Sequence, residues 1–169
     1  SDRHPARVTA GAEAVERGDQ YAVTASGLSN LALLVADEPQ KARAQFEATL
    51  GKWSTRGFHL PHYWGLLAQA LVDSYAGEHT APWERLQQAW PALQGSLLLN
   101  IQHVRLLSWH VRAHSALQAA LESSHPGPLL RSAEADTRRI EREKAPWADG
   151  LAALLRGSLA VRRQDTAAG

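Results

Sequence analysis

The sequence has no cysteine and no methionine among its 169 residues. Without cysteine, disulfide bonds, thiolate metal sites and a cysteine nucleophile are all excluded. Because no initiating methionine precedes Ser1, we expect the chain to be a fragment of a longer protein. Its length suits one ordinary hydrophobic core and is short for two, so we interpret residues 1–169 as a single domain.

The sequence also lacks a charge excess of either sign and a long apolar run. Its 18 basic and 17 acidic residues give a net charge of +1, which provides no strong field for nucleic acid or for an anionic membrane. No run approaches the roughly 20 apolar residues of a membrane-spanning helix, and the N-terminus has no signal-peptide pattern. We therefore predict a soluble, cytoplasmic protein with no nucleic-acid or membrane partner.

Strand signals are almost absent, whereas apolar residues recur at helical spacing. Trp64, Leu67, Leu71 and Tyr75 follow one another at three- and four-residue steps, as one face of a helix requires. Prolines stand where new periodic segments start, and glycines stand where several of them end. The pattern predicts an all-α fold of about eight helices, at residues 7–17, 19–36, 40–56, 60–76, 81–94, 96–124, 128–144 and 146–164.

A weak internal repeat indicates how these helices are arranged. When Asp37 is aligned with Gly77, small and large side chains recur at matching positions of helices 40–56 and 81–94. Helix pairs repeating at about 34 to 47 residues are typical of helical solenoids. We predict an α-α superhelix, a tetratricopeptide-like stack of antiparallel helix pairs.

Motifs for catalysis or for nucleotide binding are missing. The sequence has no GxSxG nucleophile motif, no phosphate-binding glycine loop, and none of the glycine-loop, HRD or DFG motifs of a protein kinase. We predict that this segment is not an enzyme and holds no cofactor.

Histidines form a stripe on the predicted helix 96–124. His103, His110 and His114 share one face of the helical wheel, with Asn100 beside them. His110 and His114 have the i,i+4 spacing of helical zinc ligands, but the stripe carries no carboxylate and the chain has no HExxH motif. A polar seam lining a groove is the favoured interpretation, and a metal site is the alternative.

Tryptophan is frequent, and Trp64 differs from the others in its position. It lies with Leu71 and Tyr75 on the first helix of its pair, the helix that lines the concave surface of such solenoids. Exposed aromatic residues in a groove are typical binding hot spots, and packing in the core is the alternative role for Trp64 and Tyr75. We predict a partner-binding groove formed by Trp64, Leu71, Tyr75, Asn100, His103, His110 and His114.

Charges and apolar residues in the last two helices lead to two further expectations. Acidic and basic residues alternate over residues 134–144, which favours a solvated face laced with ion pairs. Apolar residues surround much of helix 146–164, and no later segment is left to cover its far side. We expect another helix beyond Gly169 or a homodimer formed through this helix.

Two long segments carry a family resemblance. GFHLPHYWGLLAQALVDSYAGE, at 57–78, and AWPALQGSLLLNIQHVRLLSWHVRAHSAL, at 89–117, resemble the helical region behind the catalytic domain of many bacterial eukaryote-like serine/threonine protein kinases, notably those of myxobacteria. The resemblance implies a tetratricopeptide-like interaction or sensory module in bacterial signal transduction. A similar region also follows ATPase domains in some bacterial regulators, which keeps the attached domain open.

The leading hypothesis is therefore a non-catalytic module that binds a protein or peptide and regulates an attached kinase. The alternative is a sensor domain of a signalling or transcriptional regulator, which binds a metabolite or a metal ion around the histidine stripe.

Overall fold

The computed structural model describes residues 31–50 and 57–168. Within these two ranges every regular element is helical, with seven α-helices, one 3₁₀ turn and no strand. The all-α prediction is confirmed. The helices are α1 (Leu31–Val35), α2 (Pro39–Leu50), α3 (Leu60–Tyr75), α4 (Ala81–Gly95), α5 (Gln102–Ala119), α6 (Gly127–Arg142) and α7 (Pro146–Ala168), and the 3₁₀ turn is Leu97–Asn100.

Proline lies at the start of several helices, as the sequence predicts. Pro39 and Pro146 are the first residues of α2 and α7, and Pro61 and Pro82 lie in the first turns of α3 and α4. At these positions a proline removes no intrahelical hydrogen bond. Gly77, just after α3, has φ +76°, the left-handed conformation in which glycine commonly ends a helix.

The predicted helix 96–124 is interrupted near its start, which the sequence analysis did not foresee. The Ser96 hydroxyl lies 2.6 Å from the Leu93 carbonyl oxygen and accepts a hydrogen bond from the Leu98 amide. Ile101 then has an extended backbone, so α5 begins only at Gln102. The predicted helix 7–17 and most of 19–36 lie outside the described residues.

Each helix packs against its sequence neighbour, as short connections require. Among the described elements, α1 pairs with α2, α3 with α4, and α5 with α6. The first helices of successive pairs also touch, α1 with α3, α3 with α5, and α5 with α7. This contact pattern is the one expected of stacked helix pairs, and the superhelical arrangement itself stays a prediction.

The largest hydrophobic cluster holds α5, α6 and α7 together. Its large buried side chains include Leu106, Ile140 and Leu155. Small alanines lie between them and let the helices approach closely, because they bring little side-chain volume. These fully or nearly buried alanines are Ala113, Ala116, Ala133, Ala148 and Ala152. A second cluster, with Tyr63, Trp90, Leu93 and Val104 at its centre, joins α3, α4 and α5.

Two buried aspartates cross-link the helices. Asp73 of α3 accepts hydrogen bonds from Arg43 of α2 at 2.7 Å and from Arg85 of α4 at 2.8 Å. Asp136 of α6 is fully buried. Buried carboxylates are stable only when they are paired in this way.

The prediction of a solvated face at 134–144 is therefore wrong for Asp136. The exposed Arg138 does pair with Glu134 at 2.7 Å, four residues apart, as expected for a solvated helix. Asp136 pairs with the exposed Arg139 on its own helix and, inside the protein, with Arg112 from α5. Helical spacing could not reveal the pair with Arg112, because Arg112 lies on another helix.

The last helix has one covered and one uncovered side. Leu155 and Leu159 are buried against α5 and α6, whereas Leu154 is 68% exposed and Val161 54% exposed. The described residues leave more than half of each of these two side chains exposed, and their covering by a further helix or a second copy stays a prediction. None of the described helices combines the length and the apolar character needed to cross a membrane.

Candidate binding groove

A groove of about 390 Å³ lies between α3 and α5, the first helices of two successive pairs. We call it the α3–α5 groove. Its lining is mostly apolar and contains no residue that is charged at neutral pH. The lining residues are Trp64, Leu67, Ala68, Ala70, Leu71, Ser74, His110, Val111, His114 and Ser115.

The spacing of the residues on each helix explains how the groove forms. Trp64, Leu67 and Leu71 recur at three and four residues and so share one face of α3. On α5, His110 and His114 are one turn apart and face the same space. The small side chains of Ala68 and Ala70 leave room between the two helices, and the larger residues form the walls.

Four of the seven predicted site residues line this groove, namely Trp64, Leu71, His110 and His114. Trp64 is partly buried against the cluster of Tyr63 and Trp90, whereas Leu71 is 49% exposed. Trp64 therefore packs against the hydrophobic core and also lines the groove.

The other three predicted residues lie outside the groove lining. Tyr75 is half exposed, and its hydroxyl donates a hydrogen bond to Asp37 Oδ1 at 3.0 Å. Asn100 ends the 3₁₀ turn and is exposed. His103, also exposed, has its ring centre 5.2 Å from that of Trp147 at the start of α7. Two members of the histidine stripe, His110 and His114, thus line the groove, whereas His103 contacts α7.

The two groove histidines are stacked on each other. Their ring centres are 6.4 Å apart and their planes differ by 16°. Burial lowers the pKa of both imidazoles, and the neighbouring His114 lowers the pKa of His110 further. Both side chains are therefore neutral at neutral pH.

Two buried nitrogen atoms at the groove have no hydrogen-bond partner among the described residues. They are Nε1 of Trp64 and Nδ1 of His110. An indole nitrogen can only donate, whereas a neutral imidazole nitrogen donates or accepts according to its tautomer. Unsatisfied buried polar atoms are costly and rare in folded proteins. Both atoms are shielded from water by the protein itself, so they are unsatisfied polar groups behind the groove wall.

The histidine pair alone gives weak grounds for a metal site. His110 and His114 have suitable spacing, but within residues 31–50 and 57–168 no group of three or more potential ligands comes together. A protein-bound zinc ion takes at least three protein ligands in typical sites. For the alternative prediction of a metal sensor, the groove thus supplies only two possible ligands, the imidazoles of His110 and His114.

The remaining six lining residues were not predicted as site residues, and they are Leu67, Ala68, Ala70, Ser74, Val111 and Ser115. The Ser74 hydroxyl lies 2.8 Å from both Ala70 O and Gln118 Oε1, so it ties α3 to α5 at one end of the groove. Its position seven residues after Leu67 on the same face of α3 was the available signal. Val111 and Ser115 carry no such signal, because their contribution depends on how α5 is rotated against α3.

Two further histidines, at the start of α3, have a structural role. The His59 amide donates a hydrogen bond to Nδ1 of His62 at 3.0 Å, which caps the first turn of α3.

We compared the chain with protein-family models, with curated proteins and with solved structures, and none of the three comparisons finds a match.

Proposed function

We propose that this chain is a non-catalytic helical-repeat module that binds a protein or peptide segment in the α3–α5 groove. The groove lies where the first helices of two pairs meet, which is the usual binding side of helical solenoids. Its apolar walls suit burial of a partner's side chains. The sequence lacks the nucleophile, phosphate-loop and protein-kinase motifs named above, which supports a binding role over an enzymatic one.

The observation that carries this proposal is the position of Trp64. Its ring forms a wall of the groove, and its buried Nε1 has no partner among the described residues. Tryptophan is enriched at binding hot spots because it combines a large apolar surface with one hydrogen-bond donor. A bound segment would pack against the part of this ring that lines the groove.

The wider setting follows from the resemblance noted above. We propose that the module belongs to a bacterial signalling protein, with a serine/threonine protein kinase as the attached domain, and that it acts in the cytoplasm. In such a protein the groove would recruit a substrate or a regulator to the catalytic domain.

A small-molecule sensor is the second candidate, and the size of the groove favours it. Pockets for drug-sized ligands span about 300 to 1,000 Å³, and the α3–α5 groove has about 390 Å³. A metabolite that fills it would raise the stability of the chain by about 2.7 kcal/mol at one hundred times its dissociation constant. A thermal-shift screen against a metabolite panel tests this candidate.

A selection from a displayed library of random peptides tests the leading proposal. The immobilised 169-residue chain is the bait, and enriched peptides are synthesised and titrated against the wild type and two variants. Leu71→Glu places a charge in the groove at a half-exposed position, and Leu154→Glu places one on the uncovered side of α7. Both positions accept the change without loss of the core, because both side chains are substantially exposed.

We expect the peptides to bind the wild type and Leu154→Glu equally and to lose at least tenfold in affinity for Leu71→Glu. Binding that is unaffected by Leu71→Glu, or the absence of any enriched peptide, would count against the groove as a peptide site. A groove that responds to metabolites alone would favour the second candidate.

A further inference from the structure

We propose that the uncovered side of α7 is the interface of a homodimer, in which two copies of α7 pack antiparallel about a two-fold axis beside Leu154. The inference is independent of the proposed function, because it concerns α7 and not the α3–α5 groove. It follows from three properties of this side of the helix, which are its exposure, its lack of charge and its order of large and small residues.

The uncovered side of α7 presents large apolar side chains to solvent. Leu154 is 68% exposed, Val161 54% and Trp147 46%. Seven positions share this side, within about 120° of the helical wheel, and we call them the α7 face. They are Trp147, Gly150, Leu151, Leu154, Gly157, Ser158 and Val161. Contiguous exposed apolar residues of this kind mark an interaction surface.

The spacing within the α7 face favours a second helix as the element that covers it. Along the middle of the face, residues follow one another at steps of four, three, four and three, and they are Trp147, Leu151, Leu154, Ser158 and Val161. This spacing keeps one side of a helix directed at a partner helix over several turns.

No charged residue belongs to the α7 face. Arg156 and Arg163 of the same helix are directed to the other side, where both pair with glutamates of α6. The polar side chain of the α7 face is that of Ser158, whose hydroxyl donates a hydrogen bond to the Leu154 carbonyl oxygen at 3.0 Å. An apolar partner can therefore bury this face without leaving a charge or a hydroxyl unpaired.

In the antiparallel orientation the α7 face is complementary to itself. Leu154 lies at its middle, seven residues from both Trp147 and Val161. With the two-fold axis beside Leu154, the two Leu154 side chains meet at the centre, and Trp147 of each copy lies opposite Val161 of the other. A two-fold interface requires such an order, because one patch must fit a second copy of itself. A different partner protein imposes no such requirement.

The edges of the α7 face fit the same axis. Gly150 of one copy lies opposite Gly157 of the other along one edge, and Leu151 lies opposite Ser158 along the other edge. A methyl group at either glycine would meet no other part of the described chain within 4 Å, and paired glycines let two backbones approach closely. In a parallel dimer each position would face its own equivalent, so the two Trp147 rings would compete for the same space.

The size of the α7 face predicts a weak dimer. From Trp147 to Val161 the helix rises by about 21 Å. One helix of this length per copy buries less than the roughly 800 Å² per partner of a standard interface. We therefore expect a dissociation constant of about 10 to 100 μM, in the range of weak and transient associations.

Sedimentation equilibrium of the 169-residue chain over a range of concentrations tests the dimer. Between about 1 μM and 500 μM we expect the mass to rise from one chain toward two, as this dissociation constant requires. Leu154→Glu places a charge on the axis and should keep the chain monomeric throughout. Leu71→Glu, which changes a half-exposed leucine of the α3–α5 groove, is the matched control and should dimerise as the wild type does.

Circular dichroism reports whether the two variants keep their helices. A wild type that stays monomeric up to 500 μM, or an association that Leu154→Glu leaves unchanged, would overturn the proposal. Neither result bears on peptide binding at the α3–α5 groove.

Disulfide cross-linking tests the antiparallel orientation. The chain has no cysteine, so a single introduced cysteine is its only thiol. Leu154→Cys lies on the proposed axis, where the two Cα atoms can come within the 4.4 to 6.8 Å or so that a disulfide requires. Val161→Cys is similarly exposed, but the two copies of position 161 would lie about 21 Å apart along the helices.

In a glutathione buffer at 200 μM protein, we expect Leu154→Cys to form at least tenfold more disulfide-linked dimer than Val161→Cys. Equal yields from the two variants would indicate a parallel pair or random collision, and a higher yield from Val161→Cys would place the axis elsewhere. Either result would overturn the proposal.

Discussion

Arg112 lies over the ring of Trp90, with its guanidinium carbon 3.8 Å from the ring centre. The same guanidinium donates two hydrogen bonds to Asp136, at 2.6 and 2.9 Å. One side chain of α5 therefore joins α4 through a cation-π contact and α6 through a buried ion pair. Its planar guanidinium is suited to both contacts at once, which a lysine could not reproduce.

Removing the carboxylate of Asp136 should destabilise the protein strongly. Asp136→Ala leaves Arg112, which is largely buried, without its partner, and an uncompensated buried charge typically costs about 3 to 5 kcal/mol. We expect a fall of this size in the free energy of unfolding, measured by urea denaturation followed by circular dichroism. Since the Arg139 side chain is 45% exposed and also pairs with Asp136, Arg139→Ala should cost far less.

Glu141→Ala is the matched control on the same helix. Glu141 pairs with Arg156 of α7 through two hydrogen bonds, but both side chains are about 40% exposed. Exposed pairs of this kind contribute about 0 to 1 kcal/mol. Similar losses in the free energy of unfolding for Asp136→Ala and Glu141→Ala would show that the buried pair stabilises the protein no more than the exposed pair does.

Two glycine substitutions should change stability in opposite directions. A methyl group at either Gly77 or Gly157 would meet no atom within 4 Å, so packing does not distinguish the two sites. Gly77 has φ +76°, and Gly77→Ala should cost about 1 kcal/mol because alanine is strained there. Gly157 lies inside α7, and Gly157→Ala should add about 0.5 to 1 kcal/mol because it lowers the entropy of the unfolded chain. Thermal unfolding of the two variants checks the signs, and two shifts of the same sign would contradict this account.

Tyr63 should resist ionisation well beyond the usual range of a tyrosine. Its side chain is fully buried, and burial raises its pKa from 10.0 to about 12. Because the folded protein favours the neutral phenol, the contribution of Tyr63 to the free energy of unfolding should be complete below pH 10. It should then fall by about 1.4 kcal/mol per pH unit as the pH rises toward 12. Alkaline titration of tyrosinate absorbance in the wild type minus Tyr63→Phe isolates this group, and a midpoint near pH 10 would contradict the burial of its hydroxyl.

Local sequence signals predicted the helices well, and the contacts between helices far less. Proline positions and the three- and four-residue spacing located α3, α4, α6 and α7 to within a few residues, because both signals act within one helix. The groove was predicted in part for the same reason. Trp64 with Leu71, and His110 with His114, each share one face of their own helix.

Predictions that required the rotation of one helix against another were incomplete. His103 lies on the same face of α5 as His110, yet it meets Trp147 instead of the groove, because two turns along α5 the neighbouring helix is α7. Asp136 looks like a surface charge in the sequence, and only its pairing with Arg112 across two helices explains its burial. No periodicity within one helix carries that information.

The groove histidines should make the protein less stable in mild acid. Burial lowers the pKa of His110 and of His114 below 6.5, so the unfolded chain binds protons at these sites before the folded protein does. Their contribution to stability is therefore complete above pH 6.5 and is lost as the pH falls below it. The lowered pKa values of Glu134, Glu141 and Glu143 affect stability only at lower pH, since those carboxylates stay ionised down to about pH 4.5.

Urea unfolding at pH 7.5 and pH 5.5 checks this prediction for the groove histidines. The free energy of unfolding should differ less between the two pH values in the double variant His110→Gln with His114→Gln than in the wild type or in His103→Gln. An equal difference in all three proteins would mean that the two imidazoles are solvated in the groove.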